Sequence, residues 1–170
     1  MLELVFNNST EDKEFQDDFF KNIFNLAIEE LKLGDKNIEV SINIVGEDKI
    51  RELNHQYRHK DKVTDVLSFP MQSFGRHRPG GAKRLEGPFD YVHPTSNVET
   101  FDVGDIFICL PFAKKEAKRE NINIDVKLAR LLAHGFLHLL GYDHEKSKLE
   151  EKKIFGLEKR ILAKCLKTKD

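Results

Sequence analysis

Ile38, Val40, Ile42 and Ile44 alternate strictly with polar residues, which is the two-residue period of a half-buried strand. Leu2 to Phe6 forms a shorter apolar run that suits a strand. Val66, Leu67 and Phe69 predict a brief third strand closed by Pro70, and Ile106 to Leu110 a fourth. Between these runs the period lengthens. Phe15, Phe19, Ile23, Leu26 and Ala27 recur at helical spacing, with Ser9 and Asp12 resembling a capping box ahead of them and Gly34 a natural stop. Ile50, Leu53, Asn54 and Tyr57 mark a second, shorter helix, and Pro111 is placed to open a third. From about Asp125 to Leu140 apolar residues point in nearly every direction, so this helix belongs in the interior. Leu149, Ile154, Leu157, Ile161 and Cys165 define a final amphipathic helix with a lysine-rich last turn.

Residues 71–100 break this rhythm. Gly75, Pro79, Gly80, Gly81, Gly87, Pro88 and Pro94 are interspersed with Arg76, Arg78, Lys83 and Arg84, which reads as a long basic loop. Four strands interspersed with five helices make an α+β or α/β domain over residues 1–170, with no internal repeat and no dividing linker.

The chain has 170 residues, enough for one domain with a real core. Apolar residues make up 39% and charged residues 34%, which excludes a disordered chain. No apolar run approaches the ~20 residues of a membrane span, and the N-terminus lacks the basic and apolar segments of a signal peptide. The expected location is cytoplasmic, without a membrane partner. Cys109 and Cys165 stand apart in apolar surroundings and read as reduced, packed thiols. The net charge of −1 neither supports nor excludes an RNA partner, because a nucleic-acid binder can concentrate positive charge locally.

The chemistry concentrates in His134-Gly-Phe-Leu-His138-Leu-Leu-Gly141-Tyr-Asp-His144. His134 and His138 are four residues apart, so on a helix they share one face and can bind one cation together. Gly141 is placed to end the helix in a left-handed conformation, a reversal that would bring His144 to the same cation. Three imidazoles leave a coordination position open, and a cation there would lower the pKa of bound water towards ~7. Isolated histidines in helices are usually packed or hydrogen-bonded. Here, however, two imidazoles on a buried apolar helix would be costly without a shared partner. His55, His59, His77 and His93 show no such spacing and read as surface or loop residues.

The spacing His-x-x-x-His-x-x-Gly-x-x-His also resembles the metzincin proteases, whose signature needs Glu directly after the first His. Gly135 stands there instead, no Glu lies between His134 and His144, and both methionines (Met1 and Met71) are upstream. A metallopeptidase is therefore the weaker alternative. The string His-Gly-x-Leu-His-Leu-x-Gly-x-Asp-His resembles the signature of the YbeY family of metal-dependent endoribonucleases. Leu53-Asn54, Tyr57-Arg58, Asp61 and Thr64-Asp65-Val66-Leu67-Ser68-Phe69-Pro70 agree, as does Gly104-Asp105-Ile106. The resemblance spans roughly residues 40–150, and the loop 71–100 looks longer than the family usually carries.

The resemblance implies a zincin-like α+β fold, with a mixed four-stranded sheet packed with about five helices and the metal site on the central buried helix. It implies a single-strand-specific endoribonuclease in 16S ribosomal RNA maturation and ribosome quality control. Its partners would be ribosomal RNA precursors, with the small ribosomal subunit a further candidate. One divalent ion, zinc above nickel, copper or cobalt for imidazole ligands, would be held by His134, His138 and His144. Arg58 corresponds to the family's motif arginine, and a guanidinium grips phosphate bidentately; together with His134 it is the expected catalytic group. Against this, most surface arginines make ordinary salt bridges.

Asp143 or Asp65 could receive the second ring N–H of a metal-bound His, and Asp105 is a weaker candidate. No carboxylate stands out as a general base, and attack by water or by the RNA 2′-hydroxyl are both compatible with these residues. Lys114, Lys115, Lys118 and Arg119 could steer a phosphate backbone, although Glu116 and Glu120 dilute the run. A non-catalytic ribosome-assembly factor braced by its metal is the third reading.

Overall fold

The computed structural model describes residues 1–71, 100–142 and 148–167. Among the described residues the chain runs β1 (Leu2–Asn8), α1 (Asp17–Glu30), β2 (Asn37–Val45), α2 (Glu47–Arg58), β3 (Val66–Pro70), β4 (Thr100–Cys109), α3 (Leu110–Arg119), α4 (Ile124–Leu139) and α5 (Lys148–Lys167). Four strands and five helices match the hydrophobic pattern. The expected basic loop lies, apart from its first and last residues, outside the described residues.

The strands form one mixed sheet in the order β1-β2-β4-β3. β1, β2 and β4 are parallel, and β3 pairs antiparallel with β4 at the edge. The alternation read along β2 is real: Ile38, Val40, Ile42 and Ile44 are buried and face the main core. Phe20, Ile23 and Phe24 of α1, and Leu128, Leu132 and Phe136 of α4, complete that core on one face of the sheet. On the other face α2 lays Ile50 and Leu53 over Leu67 and Phe69 of β3.

β4 begins at Thr100, six residues before the expected strand, and the reason is a bulge. Glu39 pairs with Asp102 and Ser41 with Asp105, so Val103 and Gly104 together oppose the single residue Val40. The extra residue shifts the period by one, so Val103 before it and Ile106 and Ile108 after it all reach the main core. An alternation pattern broken in the middle does not read as one strand. Gly104 holds φ at +114°, and a Cβ there would collide with the Phe69 carbonyl and stand 2.8 Å from the Met71 nitrogen. Only glycine fits.

Two local expectations fail. Ser9 and Asp12 do not cap α1: the Ser9 hydroxyl donates to the Ile44 carbonyl, and Asp12 accepts from Lys114. The helix starts later, after Gln16, which makes no side-chain cap bond. It also ends before Gly34, at Leu31, with Lys32 taking the left-handed conformation. No helix is long and apolar enough to cross a membrane among the described residues.

Candidate active site

α4 is the most buried helix, and its start and stop are both specified locally. The Asn123 side chain accepts from the Asp125 N–H at 2.9 Å, as an N-cap should. At the other end Gly141 takes φ +84°, its N–H donating to the His138 carbonyl while Tyr142 N–H donates to Leu137. This paired closure satisfies the last carbonyls and turns the chain, as the position of Gly141 predicted.

His134 and His138 stand one turn apart on this helix. Their Nε2 atoms face each other at 3.0 Å, with ring centroids 4.5 Å apart and ring planes at 76°. Two imidazoles bound to one tetrahedral ion at ~2.0–2.1 Å would place these nitrogens about 3.3 Å apart. The pair therefore fits a shared cation with almost no adjustment. His144, the expected third ligand, lies outside the described residues, and among the described residues no cluster of three His, Cys, Asp or Glu forms a metal site.

The other ring nitrogen of His134 meets a carboxylate that the motif did not point to. His134 Nδ1 lies 2.6 Å from Glu158 Oε1, and Glu158, on α5, is only 8% exposed. The sequence reading offered Asp65 or Asp143 for this role. Asp65 is instead turned to Lys127, 3.2 Å away, in a network that also joins Glu120 to Lys127 and Arg130. Asp143 lies outside the described residues. The sequence does carry a signal for Glu158. It sits inside the apolar stripe Ile154, Leu157, Ile161 and Cys165 of α5, where a carboxylate needs a reason.

Gly135 also has a structural explanation. It faces β4, and a Cβ there would stand 3.1 Å from Ile106 Cδ1. A glutamate at this position would be driven into the sheet. The position occupied by a protease base thus serves close packing here.

Arg58 is the last residue of α2, exposed, and among the described residues its side chain makes no hydrogen bond or ion pair. The ordinary surface salt bridge weighed against a functional role is absent there, while its neighbours in the motif are committed to scaffolding. Arg51 grips Asp61 bidentately at 2.6 and 2.9 Å, and buried Asn54 donates to the Lys62 carbonyl at 2.8 Å. Those bonds, with His59 in the left-handed conformation, shape the turn that follows Arg58. Asp105 is half-buried in β4, paired with Ser41 and Phe69.

α3 is not a basic face. Lys114 is bound by Asp12 and Glu14, Lys115 by Glu47 at 2.6 Å, and Arg119 by Glu116. Lys118 alone of the four is unpaired among the described residues. Both cysteines are buried thiols outside any disulfide, and burial pushes the Cys109 thiol up from its ordinary pKa. His55 and His59 are exposed, as their spacing suggested, and His77 and His93 lie outside the described residues.

The sequence model of the family described as Endoribonuclease YbeY matches residues 5–166. The Endoribonuclease YbeY of Sulfurihydrogenibium sp. is 36% identical over 161 residues, covering 95% of this chain and 91% of that protein. That of Aquifex aeolicus is 41% identical over 136 residues, covering 79% and 75%. A solution structure of a Thermotoga maritima protein superposes with a TM-score of 0.58 at 24% identity, over 98% of this chain and 93% of the other, which supports the fold.

These matches place the chain among hydrolytic endonucleases that act on RNA. It belongs to the YbeY endoribonuclease family.

Proposed function

We propose that the chain is a single-metal endoribonuclease of ribosomal RNA maturation, with one divalent ion held by His134, His138 and His144. The observation that carries the metal is the facing pair of Nε2 atoms, 3.0 Å apart on a buried helix, with a carboxylate on the far nitrogen of one ring. Neutral imidazoles favour zinc among the common divalent ions of the cell. A bound divalent cation supplies Lewis acidity, activating a water nucleophile and neutralising charge on phosphoryl oxygens. A zincin-like description of the fold belongs to the same proposal and draws support from the burial of the histidine helix against the mixed sheet.

The chain's own residues then divide the work. Arg58 supplies a planar donor fork for a phosphate, and being unpaired among the described residues it gives up no ion pair there to do so. His134 and His138 would hold the ion, and Gly135 lets their helix pack closely against Ile106. The proposed substrate class, single-stranded ribosomal RNA precursors including that of 16S rRNA, draws support from the endoribonuclease family and from the Arg58 segment. An association with the small ribosomal subunit and a cytoplasmic location complete the proposal.

Metal analysis and RNA cleavage on one preparation test it. About one equivalent of divalent metal per chain is expected, lost together with cleavage in His138→Ala. A preparation that cuts RNA at full rate after His138→Ala would overturn it.

A further inference from the structure

Glu158 is a carboxylate at a buried position, and burial of such a group is costly unless it is hydrogen-bonded. Its Oε1 lies 2.6 Å from His134 Nδ1. An ionised carboxylate can only accept, so Nδ1 carries the proton. In the neutral ring the lone pair is then on Nε2, the atom that faces His138. The other tautomer would place an N–H against His138 and leave the carboxylate without its donor. We infer that Glu158 is a positioning residue, fixing His134 in the tautomer and ring orientation in which Nε2 can take a cation. The inference rests on the metal reading above.

The placement of the carboxylate is set by how α5 is seated. Ile154 and Leu157 pack on Leu137, the residue beside His138, and Ile161 enters the main core. Farther along, Arg160 binds Glu30 at 2.6 Å and Lys164 binds Glu29 at 2.9 Å, tying α5 to α1. Glu158 is thus presented to His134 by a helix anchored on both sides of it. It touches the His134 ring through Nδ1, so its contribution is to ligand geometry.

The test is made first on metal-free protein. Nitrogen-15 spectra of the His134 ring should show the Nδ1–H tautomer in the wild type. Glu158→Ala should lose that preference, and Glu158→Gln, which keeps an acceptor oxygen, should retain part of it. Zinc affinity by chelator competition should fall about 10–100-fold in Glu158→Ala and by less in Glu158→Gln. Circular dichroism of the metal-free variants controls for folding. An unchanged tautomer, or unchanged zinc affinity in a folded variant, overturns the inference. Should Glu158→Ala fail to fold, Glu158→Gln decides; should neither fold, the residue supports the fold and the inference falls. A wild type that shows the tautomer but takes up no metal would sink the metal reading while leaving the His134–Glu158 relation intact.

Discussion

Gly135 and Ile106 meet across the boundary between α4 and the sheet, so closely that a Cβ at 135 would stand 3.1 Å from Ile106 Cδ1 and 3.4 Å from Cγ2. A methyl group is opposed by crowding but favoured by helix propensity, which is worth about 1 kcal/mol for replacing glycine. Gly135→Ala should therefore change stability by about 1 kcal/mol or less in urea denaturation. Gly135→Glu buries an unpaired charge against the sheet and should cost about 3 kcal/mol or more. It should also yield no peptidase activity, which a peptide-cleavage assay checks.

At Gly104 the conflict is with the backbone itself. The positive φ and the approach of the Phe69 carbonyl and the Met71 nitrogen leave no side chain to move aside. Gly104→Ala should destabilise the domain by about 2 kcal/mol or more, measured by equilibrium unfolding, because a Cβ must break the bulge to fit.

Substitution of Arg58 tests the proposed function separately from stability. Its exposed side chain makes no ion pair among the described residues, so Arg58→Ala should leave the unfolding free energy within about 0.5 kcal/mol of wild type. RNA cleavage should fall by about 10²-fold or more with metal content unchanged, as expected when a donor to a charged transition state is removed. Normal cleavage by this variant would remove Arg58 from the site.

The link between the segment before α1 and helix α3 depends on pH. Hydrogen bonding to Lys114 holds the Asp12 carboxyl below its ordinary 3.8, and the same bond with that of Glu14 raises Lys114 above 10.5. The Asp12 contribution is present above pH 3.8 and is lost as pH falls through the lowered value. That of Lys114 is present below pH 10.5 and is lost as pH rises through the raised value. Both side chains are partly exposed, so the pair should contribute about 1 kcal/mol or less. Asp12→Asn should be less stable than wild type near neutrality and indistinguishable from it in strong acid, as read from urea melts across pH.

Much of this architecture can be read from the chain. The alternation in β2, the all-round apolarity of α4, the helix stop at Gly141 and the histidine pair are local patterns with one physical meaning each. The early stop of α1 at Leu31 is local, but the other failures share a cause, since each depends on a partner distant in sequence. Asp12 looks like part of a cap until Lys114, 102 residues away, claims it. The lysines of α3 look like a phosphate-steering face until Asp12, Glu14 and Glu47 neutralise two of them. Glu158 lies 24 residues from His134 and outside the histidine motif. It is visible beforehand only as an anomaly in the apolar stripe of α5.

That separation bears on how the enzyme comes into being. α4 with its two histidines emerges from synthesis well before residue 158, and the contact to Glu158 must close a stretch of 24 residues. A chain interrupted between α4 and Glu158 would carry the histidine pair but not the carboxylate that contacts His134. On the role proposed for Glu158, the histidine pair reaches its full affinity for a cation only once α5 has docked.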